Sequence, residues 1–335
     1  MKVTVTAPAR IDLAGGTLDI FPLYIFEGGG MTVNMAIDMV SMAQVETVGG
    51  REIIIKSLDL GEEARAESLE ELAPSGVLEL VMRAVKFCAP REGLHISIKN
   101  MAPKGSGLGA SSSLLVALMW ALQGAARERL DPAVLIDWCA NVEAQSLGIP
   151  TGKQDYYAAF YGGFSAIHFN ERAIRREGLS LSAPFLEALK ESLVLSFTGI
   201  SHFSGATNWD MMKGYIDNAG GTREKMKHIG RTAVKMRESL INEDMDALAS
   251  ALAEEWDNRK HLAEGVSNKK IDAMVEAAAR EGAMASKICG AGGGGCMVTL
   301  APPSRRARVM KALEEAGAAI LDFSPAGGGV RAVEG

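Results

Sequence analysis

Pro103–Ser113, "PKGSGLGASSS", runs straight into the unbroken apolar stretch Leu114–Leu122, "LLVALMWAL". The second half has to be buried. The first half carries three glycines and four serines in eleven residues, with the glycines at alternate positions 105, 107 and 109. A corner needs one or two glycines; three in this spacing let backbone N–H groups converge without interference from Cβ atoms. A helix opening just after such a loop adds unpaired N–H groups and a partial positive charge, which is how a phosphate is held. A flexible connection capped by serine is the plainer reading of this segment alone.

The chain has 335 residues, 47% of them hydrophobic, which favours two domains and needs no disulfide or metal staple. Its net charge of −6 carries no nucleic-acid footprint. The basic clusters "ERAIRRE" and "SRRARVMK" read as solvated helix or loop faces. Cys88, Cys139, Cys289 and Cys296 have neither zinc spacing nor a disulfide pattern, and read as buried thiols in a reducing compartment. The opening "MKVTVTAPAR" alternates like a strand rather than a signal peptide. The longest apolar run is about half of a membrane span. These readings place the protein in the cytoplasm, away from membranes and nucleic acid.

Period-two patterns predict strands over "KVTVTAPA", "GMTVNMAIDMVSMAQVETV", "REIIIKSL", "GLHISIKN" and "FSAIHF". Helical spacing predicts helices over 75–88, 112–127 and 131–147, the last with Asp131 as N-cap and Pro132 at the first helical position. Beyond residue 190 the texture changes. "SLVLSFTG" and "CMVTLAP" read as strands, 221–260 as one long charged helical region, and "KKIDAMVEAAAREG" and "SRRARVMKALEEAG" as helices stopped by Gly282 and Gly317. "AAILDFSPAGGGVRAV" closes as a strand pair or a strand and loop. The order predicts an α+β second domain, with the boundary placing residues 1–188 in one domain and 189–335 in the other.

Familiar phosphate motifs do not fit. No G-x-x-x-x-G-K-[ST] occurs. A literal G-x-G-x-x-G at Gly290–Gly295 follows a helix and precedes a strand, the reverse of the dinucleotide fingerprint. Three other segments carry chemistry. "ARIDLAGGTLDI" sets Arg10, Asp12 and Asp19 around a double glycine. "EAQSLGIPTGKQDYY" holds Glu143 at the edge of a helix's buried face and Asp155 just beyond a turn. "CGAGGGGC" offers close backbone approach. Lys104 and Lys153 read as surface lysines, His168 as a strand residue, and Trp120 and Trp138 as core. His202 in "TGISHFSG" reads equally as a substrate contact or an ordinary loop residue.

Together these segments resemble the GHMP kinase superfamily over nearly the whole chain. The middle motif, P-x-x-x-G-L-G-S-S, reads here Pro103 to Ser112, with Ala110 in place of the usual first serine. Within the superfamily, "RIDLAGGTLD", "GIPTGKQDYYAAFYGGF" and "TGISHFSG" resemble the bacterial sugar and heptose 7-phosphate kinases, with Leu18 interrupting their G-G-G-T-D. The resemblance implies an N-terminal domain like the second domain of ribosomal protein S5, a C-terminal ferredoxin-like domain, and a site in the cleft between them. It implies ATP and Mg2+, with Pro103, Gly105, Ser106, Gly107, Leu108, Gly109, Ala110, Ser111 and Ser112 around the nucleotide phosphates. Ser111 and Glu143 would hold the metal, Asp155 would act as catalytic base and Arg10 as its cationic partner. Asp19, Gly16 and Thr17, with Gly292 and Gly293, would line the substrate side. The acceptor implied is a sugar or sugar phosphate, first a heptose 7-phosphate at C1, with a galactose- or fucose-type kinase or a catalytically silent sugar–ATP sensor as alternatives. Monomer and homodimer are both left open.

Overall fold

The computed structural model describes residues 1–126, 130–201 and 204–333, without the side chains of residues 204 and 206. The His202 reading lies outside the described residues.

The first lobe is built on β1 (Lys2–Ala14), α1 (Leu23–Phe26), β2 (Gly30–Val48), β3 (Ile53–Ser57), β4 (Glu62–Ala66), α2 (Glu79–Cys88), β5 (Gly93–Asn100), α3 (Ala110–Ala126), α4 (Pro132–Leu147), α5 (Gln154–Tyr161), β6 (Phe164–Phe169) and β7 (Ile174–Leu179). The long β2 carries the sheet. It pairs with β1 along its length, with β5 through its second half and with β6 through its first. Helices α2–α5 cover one face, where Leu115, Leu118 and Met119 of the apolar run pack on Val5, Ala43 and Val45. Asp131 caps α4 by accepting from the Ala133 N–H, with Pro132 at its start, as its sequence predicts.

The second lobe follows with α6 (Ala183–Ser192), β8 (Leu193–Phe197), α7 (Ser204–Asp217), α8 (Thr222–Ile241), α9 (Met245–Arg259), α10 (Lys269–Arg280), β9 (Ala285–Ile288), β10 (Cys296–Leu300), α11 (Pro303–Glu315) and β11 (Ala319–Leu321), after which the chain returns to the first sheet as β12 (Arg331–Val333). Its antiparallel sheet has the order β11-β8-β10-β9. The strands alternate cleanly. Leu193, Leu195, Cys296 and Val298 face one core with α8, α9 and the first sheet, while Val194 and Met297 face another with α10 and α11. The α+β expectation holds.

Strand β1 reaches both cores. Its register slips between Pro8 and Ala9. Val5 and Ala7 belong to the first core, and Ala9, Ile11 and Leu13 to the core shared with the second lobe. Arg10 and Asp12 are thereby brought to the junction of the lobes.

Four readings of the sequence change. The glycine run Gly290–Gly295 does not follow a helix: it joins strand β9 to strand β10, because the short buried segment Ala285–Ile288 intervenes after α10. The helical region 221–260 is a hairpin of α8 and α9, broken at Glu243 with φ 53° and restarted by Asp244, which accepts from the Ala247 N–H at 2.9 Å. "ERAIRRE" lies across the edge strand β7, where Arg176 donates to Ser165 across the ladder. The final segment splits between sheets, β11 pairing with β8 and β12 with β1. Cys139, Cys289 and Cys296 are buried and Cys88 half-buried, and no disulfide joins the four.

Candidate active site

A cleft of about 570 Å3 opens between the lobes, with the glycine loop along one wall. Gly105, Gly107 and Gly109 have φ of 69°, 70° and 72°, the left-handed region that glycine reaches without strain. A Cβ on Gly107 would lie 2.5 Å from the Cys289 carbonyl oxygen, so the close approach also requires glycine. The second glycine loop backs onto the first: Cys296 N–H donates to the Ser106 carbonyl at 2.7 Å, and a Cβ on Gly295 would meet that same oxygen at 2.6 Å. Helix α3 starts at Ala110 with its first N–H groups lacking intrahelical partners.

Arg10 and Asp155 meet at the cleft's middle. Arg10 Nε and Nη2 both lie 2.7 Å from Asp155 Oδ1, and Nη1 donates to the Gly107 carbonyl at 2.6 Å. The Arg10 N–H also donates to the Leu108 carbonyl. One arginine therefore fixes both the glycine loop and the carboxylate. Burial raises the Asp155 pKa above its ordinary value, against the pull of Arg10. The Arg10 pKa is raised despite its own burial, chiefly by Asp155 and then Asp12.

Glu143, on α4, is buried. Its Oε2 accepts from Ser112 Oγ at 3.0 Å and from the Tyr156 hydroxyl. Burial raises its pKa, opposed by the Tyr156 hydrogen bond. Both of these hydrogen-bond partners are hydroxyls, so its charge lacks a bonded cation. A hard divalent ion would supply that charge, and the oxygen donors suit Mg2+. No cluster of three His, Cys, Asp or Glu stands ready for a metal among the described residues, so phosphate oxygens and water would complete the shell. Ser111 is exposed on the cleft wall, one residue from the serine that bonds Glu143.

The third part is the loop after β1. Asp19 Oδ2 accepts from the Gln154 N–H at 3.0 Å, next to Asp155. A Cβ on Gly152 would lie 2.2 Å from that oxygen, so the carboxylate needs the glycine. Burial pushes its pKa up to about 6. Beneath the loop lie four fully buried charges, Asp12, Glu255, Arg259 and Lys287. Lys287 Nζ lies 3.0 Å from Asp12 Oδ2 and donates to the Asp12 carbonyl. Burial opposes the Asp12 charge, but Lys287, Arg259 and Arg10 outweigh it and hold the pKa down.

The expected residues therefore gather along one cleft: the glycine loop, then Arg10 with Asp155, then Gly16, Thr17 and Asp19. Leu108 is not on the wall; its side chain is buried in the inter-lobe core, and its carbonyl oxygen is what Arg10 uses. Gly292 and Gly293 turn onto Val266, while Gly290 and Ala291 of the same loop reach the cleft. Leu18 is buried against Met226 and Ile229 rather than beside the site. Lys153 pairs with Asp137 and His168 with Glu177. Trp120 and Trp138 pack against the first core. Sequence reasoning missed the far end, where Ser57, Asp59, Leu60, Val77 and Asn100 line the cleft. Leu60 and Val77 are exposed there, an apolar surface no sequence pattern marks. It also missed Lys287, Glu255 and Arg259.

Residues 75–163 match the GHMP kinases N terminal domain and residues 236–319 the GHMP kinases C terminal. The chain is 31% identical to the D-glycero-alpha-D-manno-heptose 7-phosphate kinase of Campylobacter jejuni, over 95% of this chain and 94% of that one. It is 26% identical to a mevalonate kinase of Thermococcus sibiricus over 95% and 94%. A D-glycero-D-manno-heptose 1-phosphate kinase from Bacteroides thetaiotaomicron superimposes with TM-score 0.81 at 25% identity, covering 99% of each chain. With two glycine loops back to back, a carboxylate–arginine pair between them and both domain models matched, the chain belongs to the GHMP kinases, and it is a phosphotransferase.

Proposed function

We propose that the protein transfers the γ-phosphoryl group of ATP to a hydroxyl of a sugar or sugar phosphate, first of all C1 of a heptose 7-phosphate. The observation that carries this is the Arg10–Asp155 pair, set between the glycine loop and Asp19. A Cβ on Gly109 would come within 2.9 Å of Asp155 Oδ2, so the base touches the phosphate side of the cleft while its neighbour Gln154 holds the sugar side.

The glycine loop and the start of α3 bind the nucleotide phosphates through backbone N–H groups. Leu60 and Val77 give the base an apolar platform at the far end. Ser111 and Glu143 would hold Mg2+, which when bound would neutralise phosphate charge. Asp19 accepts hydrogen bonds from acceptor hydroxyls. Asp155 takes the proton of the attacking hydroxyl as its oxygen bonds to the γ-phosphorus and ADP leaves. Arg10 holds Asp155 in place and offsets charge on the transferring group. The match to the Campylobacter relative supports the heptose phosphate.

One observation favours a second reading, a kinase for an uncharged hexose of the galactose or fucose type. Among the described residues lining the cleft the cations are Arg10, already paired with Asp155 at its middle, and Lys104 of the glycine loop. A coupled ADP-release assay with heptose 7-phosphate, galactose, fucose and mevalonate separates the readings. Turnover on the heptose phosphate alone supports the first, and turnover on a free hexose alone the second. Turnover on mevalonate alone contradicts both.

A further inference from the structure

We infer that Arg259, braced by Glu255, is a positioning residue that fixes the substrate loop Gly15–Asp19 from the opposite lobe; this rests on the sugar-binding reading of that loop. Arg259 ends α9 and does not line the cleft. Its Nη2 donates to the Gly16 carbonyl at 2.7 Å and its Nη1 to Thr17 Oγ1 at 3.2 Å. Its Nε and Nη2 donate to Glu255 Oε1 at 2.9 and 2.7 Å. The planar fork is thus held by Glu255 on one edge and grips the loop with the other. A lysine ammonium lacks that geometry.

The loop needs a grip. Thr17 has φ 77°, a region that β-branched residues avoid. Its hydroxyl is held by Arg259 and donates to Met211 Sδ of α7 at 3.4 Å, so both restraints come from the second lobe. Gly16 completes the fit: a Cβ there would lie 3.0 Å from Arg259 Nη2 and from Asp12 Oδ2. Two residues beyond Thr17 stands Asp19. Because Arg259 and Glu255 are both fully buried, bulk solvent does not screen the contacts.

The test uses Arg259→Lys and the double variant Arg259→Met/Glu255→Met. The double variant replaces a buried ion pair by apolar side chains, a change that tends to preserve folding. Backbone hydrogen exchange is followed in residues 13–20 and in the glycine loop 103–113, and KM is measured for D-glycero-D-manno-heptose 7-phosphate and for MgATP. In both variants exchange in 13–20 rises about tenfold or more while 103–113 keeps its protection. The sugar KM rises about tenfold, with the MgATP KM within about threefold of wild type. In the Arg259→Lys background, Thr17→Gly relieves the strained φ and lowers the sugar KM again. Wild-type exchange in residues 13–20 in both variants overturns the inference, as does equal loosening of both loops. If the wild-type protein phosphorylates no sugar, the exchange result still decides, so failure of the sugar reading is told apart from failure of this one.

Discussion

Asp19 is the clearest conflict between stability and function at the level of single residues. Its folded pKa of about 6 lies above the ordinary carboxylate value of 3.8, so the folded state binds the proton more tightly than the unfolded chain. Ionising it opposes folding, and its stabilising contribution is lost as pH rises from about 4 to 6. Asp19→Asn should therefore stabilise the protein at pH 7, by on the order of 2–3 kcal/mol if the amide finds partners. It should also weaken the sugar KM. Thermal melts at pH 5 and pH 7 check this, since the wild type gains more than the variant from acidification. An unchanged melting curve at both pH values would contradict it. For Asp155, replacement by Asn removes the proton acceptor and leaves the glycine loop intact. Turnover should fall about 10²–10⁴-fold while MgATP binding by calorimetry persists. Because burial raises its pKa, the wild-type rate should rise with pH through a value higher than that of an ordinary aspartate. Arg10, Asp19 and Asp155 were legible in the sequence because each sits in a short motif with glycines beside it. Arg259 and Lys287 were not, because their partners lie 243 and 275 residues away in helix and strand segments that look ordinary.

Among the elements, the glycine loops were the most legible and the charged helices the least. Glycine at alternate positions encodes a backbone shape, and the structure shows the left-handed φ values that the shape requires. Gly107→Ala tests this. Its Cβ would press on the Cys289 carbonyl at 2.5 Å in a disfavoured φ, so the two loops must part. We expect at least a tenfold loss in kcat/KM and about 1–3 kcal/mol of destabilisation in a denaturant titration. Full activity would mean that the loops need not touch. The α8–α9 break escaped the sequence reading because its turn, Asn242–Asp244, is polar like the helices around it; only Asp244 as an N-cap could have marked it. Strand β7 escaped because it is an edge strand whose adjacent Arg175 and Arg176, followed by Glu177 and Gly178, leave no apolar period to read.

The molecule as a whole is two lobes tied together by their shared core and by the returning C-terminal segment. That segment leaves β11 on the second sheet, bonds Ala326 to Ala36 and Gly163, and ends as β12 on the first. Three exposed residues carry almost no sequence signal, so the return was not legible. Gly329 lies against the end of α5, where a Cβ would meet the Phe160 carbonyl oxygen at 2.0 Å. Gly329→Val should push the segment off, lower the melting temperature by several degrees and loosen the helix that carries Asp155. Melting and exchange of residues 154–163 check it, and wild-type values in both would show that the segment is incidental.

The order glycine loop, Asp155, Asp19 makes one claim about the whole cleft: phosphate moves from a nucleotide on one side to a sugar hydroxyl on the other. The most direct measurement is 31P NMR of the protein with MgATP and a panel of heptoses, hexoses and their phosphates. The account predicts ADP and, with D-glycero-D-manno-heptose 7-phosphate, a second phosphate resonance coupled to the anomeric proton. No new sugar phosphate on any member of the panel, with ATP bound and intact, would contradict it.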